Sequence, residues 1–317
     1  MPSAKPAAIP APRLAPGAPR AAVVLNAGSG SHDHARDDAA RGIVEAFAAS
    51  GIAAHLEHGH GSAIGDLAAR AARGDAPIVV AAGGDGTVSA VAAALVGTGK
   101  ILGVLPRGTL NHFAKDLRIP IDLDAAVQVI AGGHTVAVDA GEVNGRIFIN
   151  NSSIGLYPHI VRRRELGRRL GWGKWPAFAW AALRVLSRYP FLTVRLALDS
   201  GEEIVRHTPI VLIGNNAYTF EGFEIGSRAR LDGGTLGLYT VRPTSRLGLI
   251  RLAFLAILKR LHRAEDFEER SVREVWIETR RAALHVAADG EVFDLRPPLH
   301  YRSRPGALRV LVPAESG

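Results

Sequence analysis

The chain has 317 residues, which is long enough for one large domain or two ordinary ones. Of these residues 47% are hydrophobic and 21% are charged, a composition typical of a globular protein. It contains no cysteine, which excludes disulfides, thiolate zinc sites, iron–sulfur clusters and a cysteine nucleophile. The 38 Lys and Arg residues exceed the 30 Asp and Glu residues by eight, and this excess favours an anionic partner such as nucleotide phosphate, nucleic acid or an acidic membrane surface.

The N-terminal residues 1–20 contain six prolines and no apolar core of the kind found in signal peptides, which predicts a disordered leader. The longest apolar stretch, 247–258, is interrupted by Arg251. A membrane-spanning helix needs about 20 predominantly apolar residues, and this stretch is shorter. We therefore expect a cytoplasmic protein that lies on a membrane periphery rather than crossing it.

Residues 21–140 read as a nucleotide-binding α/β domain. Short apolar runs at 21–25, 77–82 and 101–105 are typical of strands buried on both faces, and helical patterns at 35–50 and 88–95 alternate with them. This alternation predicts a doubly wound parallel sheet, whose ligands bind at the carboxyl ends of the strands.

Residues 141–300 read as a β-rich domain. Several segments alternate apolar and polar residues with period two, as half-buried antiparallel strands do. The strands are predicted at 146–149, 193–198, 209–213, 235–241, 274–279, 283–287 and 308–312, with helical stretches at 158–188 and 245–263. Residues 301–317 are predicted to form a C-terminal strand that can return to the first domain, with the active site expected in a cleft between the two domains.

Three polar glycine loops follow the strands of the first domain, at 26–31, 83–87 and 106–111. Each offers unshielded backbone N–H groups near a helix start, which is the chemistry of a phosphate cradle. Neither usual nucleotide motif is present, since no GxxxxGK[ST] occurs and the GxGxxG pattern that begins at Gly28 has Asp33 in its last place.

The sequence GGDGT at 83–87, followed by LPRGTLNHFAKDL at 105–117, resembles the diacylglycerol kinase catalytic-domain family, which includes bacterial YegS- and BmrU-like lipid kinases and eukaryotic sphingosine and ceramide kinases. NAGSG at 26–30 looks like the family's NPxSG loop, and DGE at 289–291 looks like its late catalytic motif. These blocks occur in the expected order over residues 22–312. GGDGT alone also occurs in NAD kinases and phosphofructokinases.

The resemblance implies an NAD-kinase-like fold and a lipid kinase that transfers the γ-phosphate of ATP to a lipid hydroxyl, such as that of diacylglycerol. It also implies that the β-rich domain at 141–300 binds the lipid substrate. Glu291 would be the general base, Asp85 would organise Mg²⁺ through water, and Asp139 would support the same catalytic network. The residues that would hold ATP are Asn26, Ala27, Gly28, Ser29, Gly30, Gly83, Gly84, Asp85, Gly86, Thr87, Val88, Ser89 and Thr109.

Three positions depart from the family's pattern. Ser89 and Ala90 stand where Asn-Glu is common, and His112 stands where aspartate is common. The family's DDG metal turn reads Leu231-Asp232-Gly233-Gly234, so Asp232 is the remaining candidate for a structural metal ligand.

A basic stretch at 161–190 holds eight Lys and Arg residues, one Glu and three of the four tryptophans. Cations interleaved with Trp favour an anionic membrane interface, and no nucleic-acid recognition motif accompanies them. The histidines at 32, 34, 55, 58 and 60 match no standard zinc spacing and are interpreted as a solvated loop. The family resemblance also permits a homodimer.

Two other functions remain open at this point. One is a soluble NAD-kinase-like enzyme, against which the late DGE and the Trp/Arg stretch argue. The other is a catalytically inactive module that binds membranes or nucleotides, which the departures at Ser89, His112 and Gly233 allow and the retained Asp85 and Glu291 oppose. Acceptor lipids as different as diacylglycerol and a sphingoid base fit the sequence equally.

Overall fold

The computed structural model describes residues 21–27, 33–155, 191–221, 224–241 and 267–314. These residues form two compact units. The first takes its residues from Met1–Thr109, Leu117–Val136 and Arg309–Gly317, and the second from Leu110–Asp116 and Ala137–Leu308.

The first unit alternates strands and helices along the chain. Its elements are β1 (Ala21–Asn26), α1 (Asp33–Ala49), β2 (Ala54–Gly59), α2 (Ala63–Arg73), β3 (Ile78–Gly83), α3 (Asp85–Leu95) and β4 (Ile101–Pro106). The short α4 (His112–Asp116), which the contacts assign to the second unit, comes next, and α5 (Leu123–Gly132) completes the helices of the first.

The strands of the first unit form a parallel sheet in the order β2-β1-β3-β4. Every residue of β3 and β4 is buried, because helices pack on this sheet and its central strands are apolar throughout. Helix α5 is capped at its start by the Asp122 side chain, which accepts from Ala125 N, and it ends at Gly133 in the left-handed conformation.

The second unit is built of β-strands. They are β5 (Thr135–Val143), β6 (Arg146–Phe148), β7 (Asn151–Gly155), β8 (Leu192–Leu198), β9 (Glu203–Thr208), β10 (Ile210–Asn215), β11 (Tyr218–Glu221), β12 (Glu224–Arg228), β13 (Leu236–Val241), β14 (Phe267–Val272), β15 (Glu274–Glu278), β16 (Leu284–Ala288), β17 (Glu291–Leu295) and β18 (Leu299–Leu311).

Two antiparallel arrangements carry the core of the second unit. The described strands of one sheet follow the order β14-β13-β10-β7-β16-β17, and β18, β15, β8 and β9 are successive neighbours in another. Inward side chains of both arrangements meet in one apolar cluster, which includes Phe148, Ile154, Val194, Val286 and Tyr301. At the end of the chain, Arg309 and Val310 of β18 pair in parallel with Ile101 and Leu102 of β4.

The expected fold class, an α/β domain followed by a β-rich domain, is confirmed. One difference matters for the site: α3 begins at Asp85, three residues before the predicted start, because Gly84 acts as its N-cap and its carbonyl accepts from Thr87 N and Val88 N. The predicted histidine loop is also different, since His55 and His58 are exposed residues of strand β2. The leader and the predicted helices at 158–188 and 245–263 lie outside the described residues.

Candidate active site

A side-chain hydrogen bond joins the carboxyl end of β1 to the first turn of α3. Asn26, the last residue of β1, donates from Nδ2 to Thr87 Oγ1 at 2.9 Å, and Thr87 is 3% exposed. The same loop is held by the Ala27 N–H, which donates to Gly59 O at 2.9 Å. Gly28, Ser29 and Gly30 of this predicted nucleotide loop lie outside the described residues.

The two glycines that precede α3 are required by close packing. A Cβ on Gly83 would lie 2.4 Å from Thr87 Oγ1, and a Cβ on Gly84 would lie 3.1 Å from Gly108 Cα. This second approach brings the GGDGT loop against the PRGT loop, which is also tied to it by a 2.9 Å hydrogen bond from Arg107 N to Gly83 O. The N-terminus of an 11-residue helix therefore lies beside two glycine loops, as in an anion site.

Two buried polar atoms on α3 have no hydrogen-bond partner among the described residues: Oδ1 of Asp85 and Oγ of Ser89. They are four residues apart and therefore lie on the same side of the helix. Burying an unpaired carboxylate oxygen is costly, and such atoms are characteristic of sites completed by a ligand. Asp85, Ser89 and the helix N-terminus therefore fit a nucleotide phosphate with its Mg²⁺ and water.

The loop after β4 packs against the GGDGT loop through Gly108. Thr109, predicted to contact ATP, is exposed, and Val88 is 4% exposed within the core. A pocket of about 270 Å³ opens beside the loop. Its lining residues are Leu105, Pro106, Arg107, Ile121, Leu123 and Ala126.

The DGE motif is a tight hairpin turn in the second unit. Asp289 and Gly290 have φ angles of 47° and 88° and connect β16 to β17, the conformation that Asp-Gly adopts in two-residue hairpins. Glu291 follows as the first residue of β17 and is exposed, so its carboxylate can be reached by a substrate. Sequence reasoning did not assign a role to Asp289, although the Asp-Gly pair signals the turn.

Asp139 is enclosed and bound on both oxygens. It is 1% exposed, its Oδ1 accepts from Gly306 N at 2.9 Å, and its Oδ2 accepts from Gly234 N at 2.6 Å. Its own N–H donates to Leu231 O at 2.7 Å. Asp139 therefore holds the backbone around Gly234 and Gly306, and its part in a catalytic network stays a prediction.

The Leu231–Gly234 turn is secured by protein groups. Gly233 N donates to Asn216 Oδ1 at 2.9 Å, and a Cβ on Gly233 would lie 2.6 Å from that oxygen. Asp232, the predicted metal ligand, is exposed and paired with Arg230 at 3.0 Å. Within the described ranges no three His, Asp or Glu residues gather to hold a metal ion, and the metal role of Asp232 stays a prediction.

Arg228 is a buried cation that the sequence gave no reason to single out. Its guanidinium contacts Asp116 Oδ2, Ile149 O and Asn150 Oδ1 at 2.8, 2.6 and 3.0 Å. It also lies 5.3 Å from the ring centroid of Tyr218, whose pKa burial raises to about 12. No local pattern marks Arg228, because its partners come from distant parts of the chain.

The basic, Trp-rich stretch at 161–190 lies outside the described residues, so its contact with a membrane stays a prediction. Of the helices described, none is long and apolar enough to cross a membrane.

Comparison with known proteins identifies relatives of both units. The model of the diacylglycerol kinase catalytic domain matches residues 20–143, and that of the YegS C-terminal NAD kinase beta sandwich-like domain matches residues 167–312. A diacylglycerol kinase of Mycobacterium tuberculosis is 32% identical over 253 residues, which cover 78% of this chain and 80% of the relative.

Solved structures show the same fold. A putative diacylglycerol kinase from Bacillus anthracis superposes with a TM-score of 0.70 at 22% identity, over 93% of this chain and 98% of that one. Yeast NADH kinase superposes with a TM-score of 0.54 at 11% identity, over 94% of this chain and 84% of that one. At these identities the structures establish the architecture alone.

Proposed function

We propose that this chain, which belongs to the diacylglycerol kinase catalytic-domain family, is an ATP-dependent lipid kinase. The observation that carries the proposal is the unpartnered, buried Oδ1 of Asp85 at the start of α3, beside two glycine loops. A carboxylate held in this way is explained by a ligand that brings positive charge and water, as MgATP does.

In this proposal the first unit holds ATP. The α3 N-terminus and the loops at Asn26 and Thr109 would bind the phosphates, with Gly28–Gly30 completing the first loop. Mg²⁺, when bound, neutralises charge on the transferred phosphoryl group, and Asp85 would orient it through water. Ser89 offers its free hydroxyl to the same ligand.

Glu291 of the second unit is the proposed general base. It would accept the proton of a lipid hydroxyl as the hydroxyl oxygen forms a bond to the γ-phosphorus and the bond to ADP breaks. Its exposure and its place directly after a rigid two-residue turn support this role. We further propose an anionic membrane surface as the source of the lipid, consistent with the excess of eight positive charges.

The test is transfer of label from γ-³²P-ATP to a mixed lipid extract in the presence of Mg²⁺. We expect a labelled lipid with the wild-type protein, its loss in Glu291→Gln, and its retention in Glu278→Gln, a matched change at an exposed glutamate of β15. The labelled lipid would identify the acceptor. NAD is offered as the acceptor in a parallel reaction. Label on NAD and on no lipid would refute the proposal in favour of a soluble kinase.

A further inference from the structure

The segment Ile149–Asn151, which joins β6 to β7, has its backbone N–H groups bound by a single carboxylate. Asp289 Oδ2 accepts from Ile149 N at 2.8 Å, and Asp289 Oδ1 accepts from Asn150 N and Asn151 N at 2.9 and 3.1 Å. In the opposite direction, Asp289 N donates to Asn151 O at 2.9 Å. Three N–H donors on one carboxylate make a strong, directional anchor.

The opposite side of the segment is held by buried donors. Ile149 O accepts from Arg228 Nη1 at 2.6 Å and from Asn215 Nδ2 at 3.0 Å, and Asn150 O accepts from Asn215 N at 2.8 Å. Ile149 and Asn150 are 0% and 7% exposed. Because the N–H groups are bound by Asp289 and the C=O groups by the buried Arg228 and Asn215, the segment is a fixed support and not a pliable loop.

Asp289 connects this support to Glu291. It occupies the first position of the β16–β17 turn, and Glu291 comes two residues later, paired with Ala288 across the hairpin. Both oxygens of Asp289 already accept backbone hydrogen bonds, so this carboxylate is committed to holding the turn. The direction in which Glu291 leaves the turn is thereby set by the bonds of Asp289.

We propose that Asp289 is a positioning residue for Glu291, which fixes the hairpin of the base on the Ile149–Asn151 support. The inference rests on the proposed function, because it assigns Asp289 a role in the same reaction. It predicts that loosening the anchor impairs the chemical step and leaves nucleotide and lipid binding intact. A displacement of about 1 Å of a catalytic group costs on the order of 100-fold in rate.

The test compares Asp289→Asn with Asp294→Asn. Asn tolerates the positive φ of this turn, but its NH₂ group faces an N–H donor where the carboxylate has an oxygen. Asp294→Asn removes the same charge from the other end of β17, where the carboxylate of Asp294 is paired with His285. We expect Asp289→Asn to lower kcat about 100-fold with the KM values for ATP and lipid within twofold, and Asp294→Asn to change neither.

Hydrogen exchange of the 149–151 amides gives a readout that does not depend on activity. Faster exchange in Asp289→Asn together with the selective loss of kcat would support the proposal. Unchanged exchange, unchanged kcat, or a proportional loss of kcat and of binding would overturn it. If the wild-type protein labels no lipid, the proposed function fails, and with it the role for Glu291, while the exchange result still decides whether Asp289 anchors the segment.

Discussion

Arg228 and Asp116 form an ion pair across 112 positions of the chain, with 2.8 Å between Nε and Oδ2 and with 0% and 6% of their side chains exposed. Asp116 is the last residue of α4, within the 105–117 motif, and Arg228 is the last residue of β12. The 105–117 motif therefore contains a residue that neutralises a buried cation of the second unit, beside the segment that Asp289 anchors.

Removing the partner of this cation destabilises the protein. We expect Asp116→Asn to lower the free energy of unfolding by about 3–5 kcal/mol, because Arg228 is left buried with an uncompensated charge. Urea denaturation measures the change. Asp232→Asn breaks the exposed pair with Arg230 and should leave the denaturation midpoint near that of the wild type. Equal effects of the two variants would contradict the prediction.

Asp85→Asn separates stability from nucleotide binding. The variant removes the charge of a carboxylate whose Oδ1 is buried without a hydrogen-bond partner. The thermal midpoint of the nucleotide-free protein should therefore not fall. MgATP should raise the midpoint of the wild type and raise that of the variant much less, because the ligand loses its anchor. Differential scanning fluorimetry with and without MgATP is the measurement, and Asp75→Asn, at an exposed site, is the control. An equal shift in both proteins would speak against the site.

Thr87 tests the link between the first two nucleotide loops. Thr87→Val keeps the shape of the side chain but removes the acceptor of the 2.9 Å bond from Asn26, which should cost about 1 kcal/mol of stability. Because the bond also holds the Asn26 loop against α3, KM for ATP should rise. Thr87→Ser keeps the hydroxyl and should keep KM, so a similar KM in the Val and Ser variants would disprove the link.

Glu142 makes the stability of the second unit depend on pH. Burial would raise the pKa of Glu142, but hydrogen bonds and charges from Arg302 and Arg304 outweigh it, and the pKa lies below its ordinary 4.5. A lowered pKa in the folded state contributes stability above the unfolded pKa, and that stability is lost as the pH falls through the folded pKa.

The free energies of unfolding of wild type and Glu142→Gln should therefore differ by a constant amount above pH about 5.5 and converge below pH about 4.5. Guanidinium denaturation at a series of pH values measures this difference, with Glu45→Gln at an exposed position of α1 as the matched control. A difference that stays constant down to pH 3 would contradict the role of the two arginines.

Gly233 tests whether a second carboxylate can be accommodated in the Leu231–Gly234 turn. We expect Gly233→Asp to destabilise the protein by about 1–3 kcal/mol, because the added Cβ meets Asn216 Oδ1 at 2.6 Å. Gly65→Ala in α2, where a Cβ meets nothing within 4 Å, should instead stabilise by up to about 1 kcal/mol. Thermal unfolding with and without Mg²⁺ distinguishes steric strain from a new metal site, since a Mg²⁺-dependent gain in the Asp variant would show that the turn adapts to a cation.

The elements that a local pattern could predict are those whose signal lies within a few residues. Uniformly apolar runs identified β1, β3 and β4, and glycines with hydroxyl residues identified the loops that follow them. The start of α3 was placed too late, because the glycine of its N-cap and the first turn read locally as a loop. Strand β2 is not predicted from the sequence, because two histidines and a glutamate among its six residues leave no apolar run.

By itself, the sequence determined the α/β and β-rich parts of the chain, because apolar periodicity is a local property. It also predicted a phosphate cradle at the glycine loops, and the family resemblance of its motifs predicted Glu291 as the base. Only the tertiary structure decided what the remaining polar residues do. It showed that Asp139 is enclosed by backbone donors, that Asp289 anchors a segment 138 to 140 residues away, and that Arg228 is paired with Asp116. These roles depend on hydrogen-bond partners that come together only when distant strands pair, and buried polar groups must find such partners wherever the fold supplies them.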